Sequence, residues 1–163
     1  MNQRKIAVID FHTHIFPDDL AERALSKLKE LSPDAVNHTD GTSGGLHESM
    51  VTNGINRSVL LSIATKPAQV HVINQAAVLL QSDSFIPFGT LHPDMDFIEK
   101  EITYLKIGGI KGIKFHPEYQ DFYIADQKYY HIYEQLAAEN FIVQFHAGED
   151  PGPFSCDHAL PAD

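Results

Sequence analysis

Apolar runs alternate with helical patterns along this chain at a spacing of roughly 25 to 30 residues after the second run, the order that βαβ units and a parallel sheet require. The runs that predict strands are 5–11, 58–64, 85–90, 110–116 and 141–147, and helical periodicity falls at about 18–31, 67–82, 94–106 and 126–139. Pro17-Asp18-Asp19 and His92-Pro93-Asp94 supply acidic first turns, and Gly108-Gly109 closes the third of these helices. The polar stretch 33–45 reads as a long loop, followed by a shorter helix over 46–53 that leads through Gly54 into the second strand. In the first strand Ile6, Val8 and Asp10 have one parity and Ala7, Ile9 and Phe11 the other, so both faces are mostly apolar, as in a parallel strand covered on both sides.

That strand runs straight into Phe11-His12-Thr13-His14. Successive side chains on a strand point to opposite faces, so His12 and His14 share one and can close on a single ion. With ten histidines in the chain a His-x-His is expected about 0.6 times by chance, so its position at a strand end carries more weight than its spacing. Asp10 has the same parity and is placed to orient an imidazole from below. The other strands repeat the theme: His92, His116 and His146 lie at or within two residues of the ends of the third, fourth and fifth. Parallel α/β folds put their chemistry at the carboxyl ends of strands, which points to a shared pocket. Ile142, Gln144 and His146 have one parity, so His146 is a candidate third imidazole, and three protein ligands with an open position is a catalytic zinc pattern.

Lys114 and His116 also share a parity on the fourth strand. Three readings of the ammonium stay open: an ion pair with Asp10 or another carboxylate, an anchor for an anionic substrate, or a carbamylated bridge between two metals. For His116, before Pro117, a role in substrate contact or proton transfer competes with a plain loop position. His92 is read as a capping or packing residue.

Length, charge and cysteine content narrow the class. The 163 residues fit one domain, residues 1–163, and 43% hydrophobic content supports a sizeable core. A net charge of −10 opposes a general nucleic-acid or anionic-membrane surface. A lone cysteine, Cys156, excludes an internal disulfide and reads as a bystander in a reducing compartment. The apolar stretch after Met1 is too short for a signal core or a membrane span, so the expectation is a cytoplasmic protein.

Asp10-Phe11-His12-Thr13-His14, Gly112-Ile113-Lys114-Phe115-His116-Pro117 and Phe145-His146-Ala147-Gly148 together resemble the amidohydrolase superfamily. The likeness is greatest to the branch that includes aminocarboxymuconate-semialdehyde decarboxylase, and Gly41 to Leu61, where a Gly-Ile pair precedes a Val-Leu-Leu strand, extends it over nearly the whole chain. TatD-type nucleases are less similar, because their fourth strand is expected to offer a glutamate where Lys114 stands. The resemblance implies a distorted TIM-type (β/α)8 barrel, of the α/β class, and a divalent metal held by His12, His14 and His146. Zinc is the first choice, with manganese or iron as alternatives, and a metal-activated water as the nucleophile. Such a barrel needs about 250 residues, whereas only five βα units are legible here. The family's sixth-strand histidine and eighth-strand aspartate have no counterpart: no strand follows His158 or Asp163, although Glu149, Asp150 or Asp157 could supply a carboxylate.

The expected function is therefore hydrolysis of a small, carboxylate-bearing molecule, with His116 catalytic and Lys114 substrate-binding. Non-oxidative decarboxylation in the same scaffold is the alternative, and a truncated, non-catalytic metal-binding or assembly protein is the reading from another class. A five-strand piece leaves unpaired edges, which a longer sequence or a second copy in a homo-oligomer would cover.

Overall fold

The computed structural model describes residues 7–34, 36–148 and 158. Glu149, Asp150, Cys156, Asp157 and Asp163 lie outside these, as do the first two residues of the expected first strand. The strands are β1 (Ile9–Thr13), β2 (Arg57–Leu61), β3 (Phe85–Thr90), β4 (Gly112–Phe115) and β5 (Ile142–Phe145), and they follow one another through the sheet in sequence order. The helices are α1 (Asp18–Leu31), α2 (Ser43–Asn53), α3 (Val70–Leu79), α4 (Ile98–Ile107), α5 (Pro117–Gln120) and α6 (Tyr130–Ala138). This is the α/β order of a TIM-type barrel, with five of its eight strands present among the described residues. Residues divide into two compact units, Met1–Leu60 with Gln81–Ile86, and Leu61–Leu80 with Pro87–Asp163.

In the first unit β1 pairs parallel to β2, Ile9 with Arg57, Asp10 with Ser58 and Thr13 with Leu60. Three steps on β1 thus match two on β2, a bulge at the residues that lead to the histidines. The expected burial of both faces of β1 does not hold: Val8 just before it, Ile9 and Phe11 are 46%, 48% and 50% exposed, and among the described strands β1 is at the edge of the sheet, paired with β2 alone. Helix α1 spans the predicted residues, with Asp18 and Asp19 in its first turn and Lys29 in its last. Helix α2 begins three residues earlier than expected. Thr42 caps it by accepting from Gly45 N at 3.0 Å, and Asp40 Oδ1 in turn accepts from the Thr42 amide and hydroxyl, so Ser43-Gly44-Gly45 is helical rather than loop.

In the second unit the core gathers Ile102 and Leu105 of α4, Ile113 and Phe115 of β4, and Ile132 and Leu136 of α6. Phe115 stacks on Phe145 and meets Phe122 and Tyr133 edge-on. Helix α4 starts four residues later than predicted. The amide of Met95 donates to His92 O in a turn, and Phe97, at φ 56°, interrupts the helical path. Short 3-10 turns, Pro67–Gln69 and Gln127–Tyr129, account for the beginnings of the second and fourth long helical patterns.

Gly112 is a packing requirement. A Cβ there would come within 2.3 Å of the Phe88 ring, whose side chain is fully buried. Gly112→Ala should destabilise this unit by about 2 kcal/mol, the usual scale of overpacking, and Phe88→Leu in the same chain should restore part of the loss. Urea denaturation of the single and double variants measures both effects.

Candidate active site

The first pair of candidate ligands belongs to the first unit. His12 and His14 are both exposed, with ring centroids 5.1 Å apart and planes tilted by 58°. Thr13, buried between them in sequence, donates its hydroxyl to Val59 O at 2.7 Å and fixes the strand end from the opposite face. Asp10 does not support an imidazole as its parity suggested. Its Oδ1 accepts from the backbone amide of His12 at 3.1 Å, a local turn that the bulge permits.

The remaining candidates belong to the second unit. Ile113 and Phe115 face the helical core, so the alternate residues of β4, Gly112, Lys114 and His116, take the face turned away from the helices. On β5, Val143 and Phe145 pack against the same core, and Ile142, Gln144 and His146 take the other face. The register sets Lys114 opposite Gln144, and the ladder continues through His146 N to Phe115 O at 3.0 Å. His146 is half-buried and stacks on His116, with centroids 4.1 Å apart and planes within 9°. The other face of the His116 ring stacks on Tyr119 at 4.0 Å and 6°. His116 is also the N-cap of α5, its Nδ1 accepting from Tyr119 N at 3.4 Å, which assigns the proton of the neutral ring to Nε2. The short helix α5, missed in the sequence, thus holds His116 in place.

Lys114 is 0% exposed, and its Nζ has no hydrogen-bond partner among the described residues. Among the described residues Lys114 makes no ion pair, the first of the readings that the sequence offered, and burial pushes the ammonium's pKa down to about 8. His92 is 6% exposed and accepts from Asp94 N at 3.2 Å, a packing and capping residue whose pKa burial lowers against the opposing pull of Asp94.

Three polar residues that carry this architecture have no marker in the sequence. Gln120, 2% exposed, donates to Ala64 O at 2.9 Å and Leu91 O at 2.7 Å and accepts from His116 N at 2.9 Å, so one amide joins the chain beyond β2, β3 and β4. Asn74 pairs with both backbone groups of Thr90 at 2.8 Å and donates to Glu101, whose other oxygen meets His71 Nδ1 at 3.1 Å. Thr90 Oγ1 accepts from Ala64 N and donates to Lys114 O, both at 3.2 Å. A groove of about 460 Å³ lined by Ile124, Ala125, Tyr130, Tyr133, Val143 and Phe145 is apolar and takes the helix side of β5, away from the face of His146.

Among the described residues no three His, Cys, Asp or Glu side chains are grouped as a metal cluster. The His12/His14 pair by itself fits two ligands of one ion in donor type and ring separation. No described helix is long and apolar enough to cross a membrane.

A family model described as amidohydrolase matches residues 9–163. Among solved structures, the chain is similar to a probable 2-pyrone-4,6-dicarboxylic acid hydrolase from Acinetobacter baumannii with citric acid bound, at 17% identity and a TM-score of 0.53. It is also similar to an uncharacterized TIM-barrel protein from Bordetella bronchiseptica, at 17% identity and a TM-score of 0.62. The alignments cover 87% and 91% of this chain but 50% and 58% of those two, so the chain spans between half and three fifths of their length. No curated protein matches.

Proposed function

Because the chain belongs to the amidohydrolase family, we propose that it carries the N-terminal part of a metal-dependent hydrolase acting on a small, carboxylate-bearing molecule. The observation that carries this reading is the pair of imidazoles at the end of β1, with centroids 5.1 Å apart, inside a stretch that the family model matches. His12, His14 and His146 would hold a divalent ion, with zinc the first choice and manganese or iron the alternatives. When bound, such an ion supplies Lewis acidity and lowers the pKa of a coordinated water towards about 7.

The other roles belong to the chain's own side chains. Lys114 would anchor the substrate's carboxylate from the face it shares with His116, where burial makes a charge-assisted contact strong. His116, braced by Tyr119 and by the clasp of Gln120 on its amide, would exchange a proton with the substrate at Nε2. The Acinetobacter hydrolase has citric acid bound, and a polycarboxylate there supports a carboxylate-bearing substrate here. Non-oxidative decarboxylation needs the same anchor, and release of carbon dioxide rather than of an alcohol or amine would identify it. A non-catalytic, metal-binding or assembly role predicts metal without turnover.

Elemental analysis of the purified chain tests the proposal, beside a His12→Ala, His14→Ala double variant. Near-stoichiometric zinc, manganese or iron that disappears in the variant is expected. A folded chain that takes up none of these metals would overturn it.

A further inference from the structure

Two buried polar atoms of the second unit that belong to one register row, Lys114 Nζ on β4 and Gln144 Oε1 on β5, lack a hydrogen-bond partner among the described residues. The third member of the row, Thr90 on β3, has its one hydroxyl proton committed to Lys114 O and so cannot donate to Gln144, and its oxygen accepts from Ala64 N rather than from Lys114 Nζ. Leaving such groups unpaired is costly, more so for a charge than for an amide, and native chains keep few of them without a reason.

Their chemistry is complementary rather than alike. An ammonium only donates, and an amide oxygen only accepts. A ligand that satisfies both must present an anionic acceptor beside a donor. A carboxylate supplies the first and a hydroxyl on the adjacent carbon the second. The row is one alternate position below the His116 and His146 stack on the same face of the strands, so a ligand held there would extend towards those rings. Gln144 is half-buried and Ile142, next below it, is 51% exposed, which opens this face of β5 to solvent beside the row.

We infer that Lys114 and Gln144 form one subsite for a 2-hydroxycarboxylate, with the carboxylate on Lys114 Nζ and the hydroxyl on Gln144 Oε1. This rests on the reading of Lys114 as the substrate anchor, and it adds Gln144 as the residue that sets specificity.

Isothermal titration of the metal-stripped, full 163-residue chain with glycolate and with acetate tests it. Glycolate should bind about fivefold tighter than acetate, the usual worth of one added hydrogen bond. In Gln144→Leu the two acids should become equal, and in Lys114→Met both should lose saturable binding. Should Gln144→Leu fail to fold by circular dichroism, Gln144→Met takes its place with the same expectation. Equal affinities in the unaltered chain, as a bridging water alone would give, overturn the inference. So does a glycolate preference that survives in the Gln144 variant, or no saturable binding of either acid. With metal absent throughout, these results stand apart from the metal analysis. A chain that takes up no metal but prefers glycolate breaks the hydrolase reading alone, and a metal-binding chain without that preference breaks the subsite alone.

Discussion

Lys114→Met is expected to stabilise the protein by about 3 kcal/mol at neutral pH, although it removes the functional group of a candidate site residue. The reason is the buried ammonium, without a hydrogen-bond partner among the described residues, whose pKa falls from 10.5 in the unfolded chain to about 8 in the native one. Below about pH 8 both states carry the proton and the native state bears the whole desolvation cost. Between about pH 8 and 10.5 the unfolded chain keeps a proton that the native chain has released, so stability rises with pH. Above 10.5 both are neutral and this contribution no longer changes. Urea denaturation across this range should show the native chain gaining stability relative to the Met variant, until the two converge at the alkaline end. Parallel profiles would mean that the ammonium finds a partner in solution.

Gln120→Leu should act in the opposite sense, destabilising by about 4 kcal/mol, because it strands three buried backbone groups at once. The carbonyls of Ala64 and Leu91 lose their donor, and the amide of His116 loses its acceptor. Leucine has a similar volume, so the loss measures hydrogen bonding rather than a cavity. A loss below about 1 kcal/mol in chemical denaturation would show that water replaces the amide at all three positions. Gln120→Glu separates the two halves of the clasp, since a carboxylate still accepts from His116 N but repels the two carbonyls.

Local signals in the sequence anticipated part of this arrangement. The limits of α1 are legible because Pro17, Asp18 and Asp19 supply a helix start that needs no tertiary help. The common face of Lys114 and His116 follows from the alternation of Gly112 to His116. The bulge in β1 was not legible, since it depends on register against β2, and it turned Asp10 to a backbone amide instead of an imidazole. Phe97 gave no warning of a left-handed φ, which is uncommon for an aromatic residue, and α4 starts late as a result. Gln120 was illegible for another reason: the carbonyls it joins lie 56 and 29 residues earlier, and nothing near Gln120 in the chain marks it as buried. Gln144 carried a usable signal in its parity with His146, but a neutral amide draws attention only once it is seen unpartnered.

The Gln120 clasp also has a kinetic consequence. Its three partners come from segments far apart in the chain, so it closes late, after the ends beyond β2, β3 and β4 have met, and the entropy of two long loops opposes it until then. Once closed, it binds the fate of the His116 amide proton to that of three strand ends together. Deuterium should therefore reach that nitrogen only when the unit opens as a whole, whereas amides along the exposed edge of β1 exchange through local fraying. One slowly exchanging proton beside the candidate catalytic ring would thus report the cooperativity of the entire second unit.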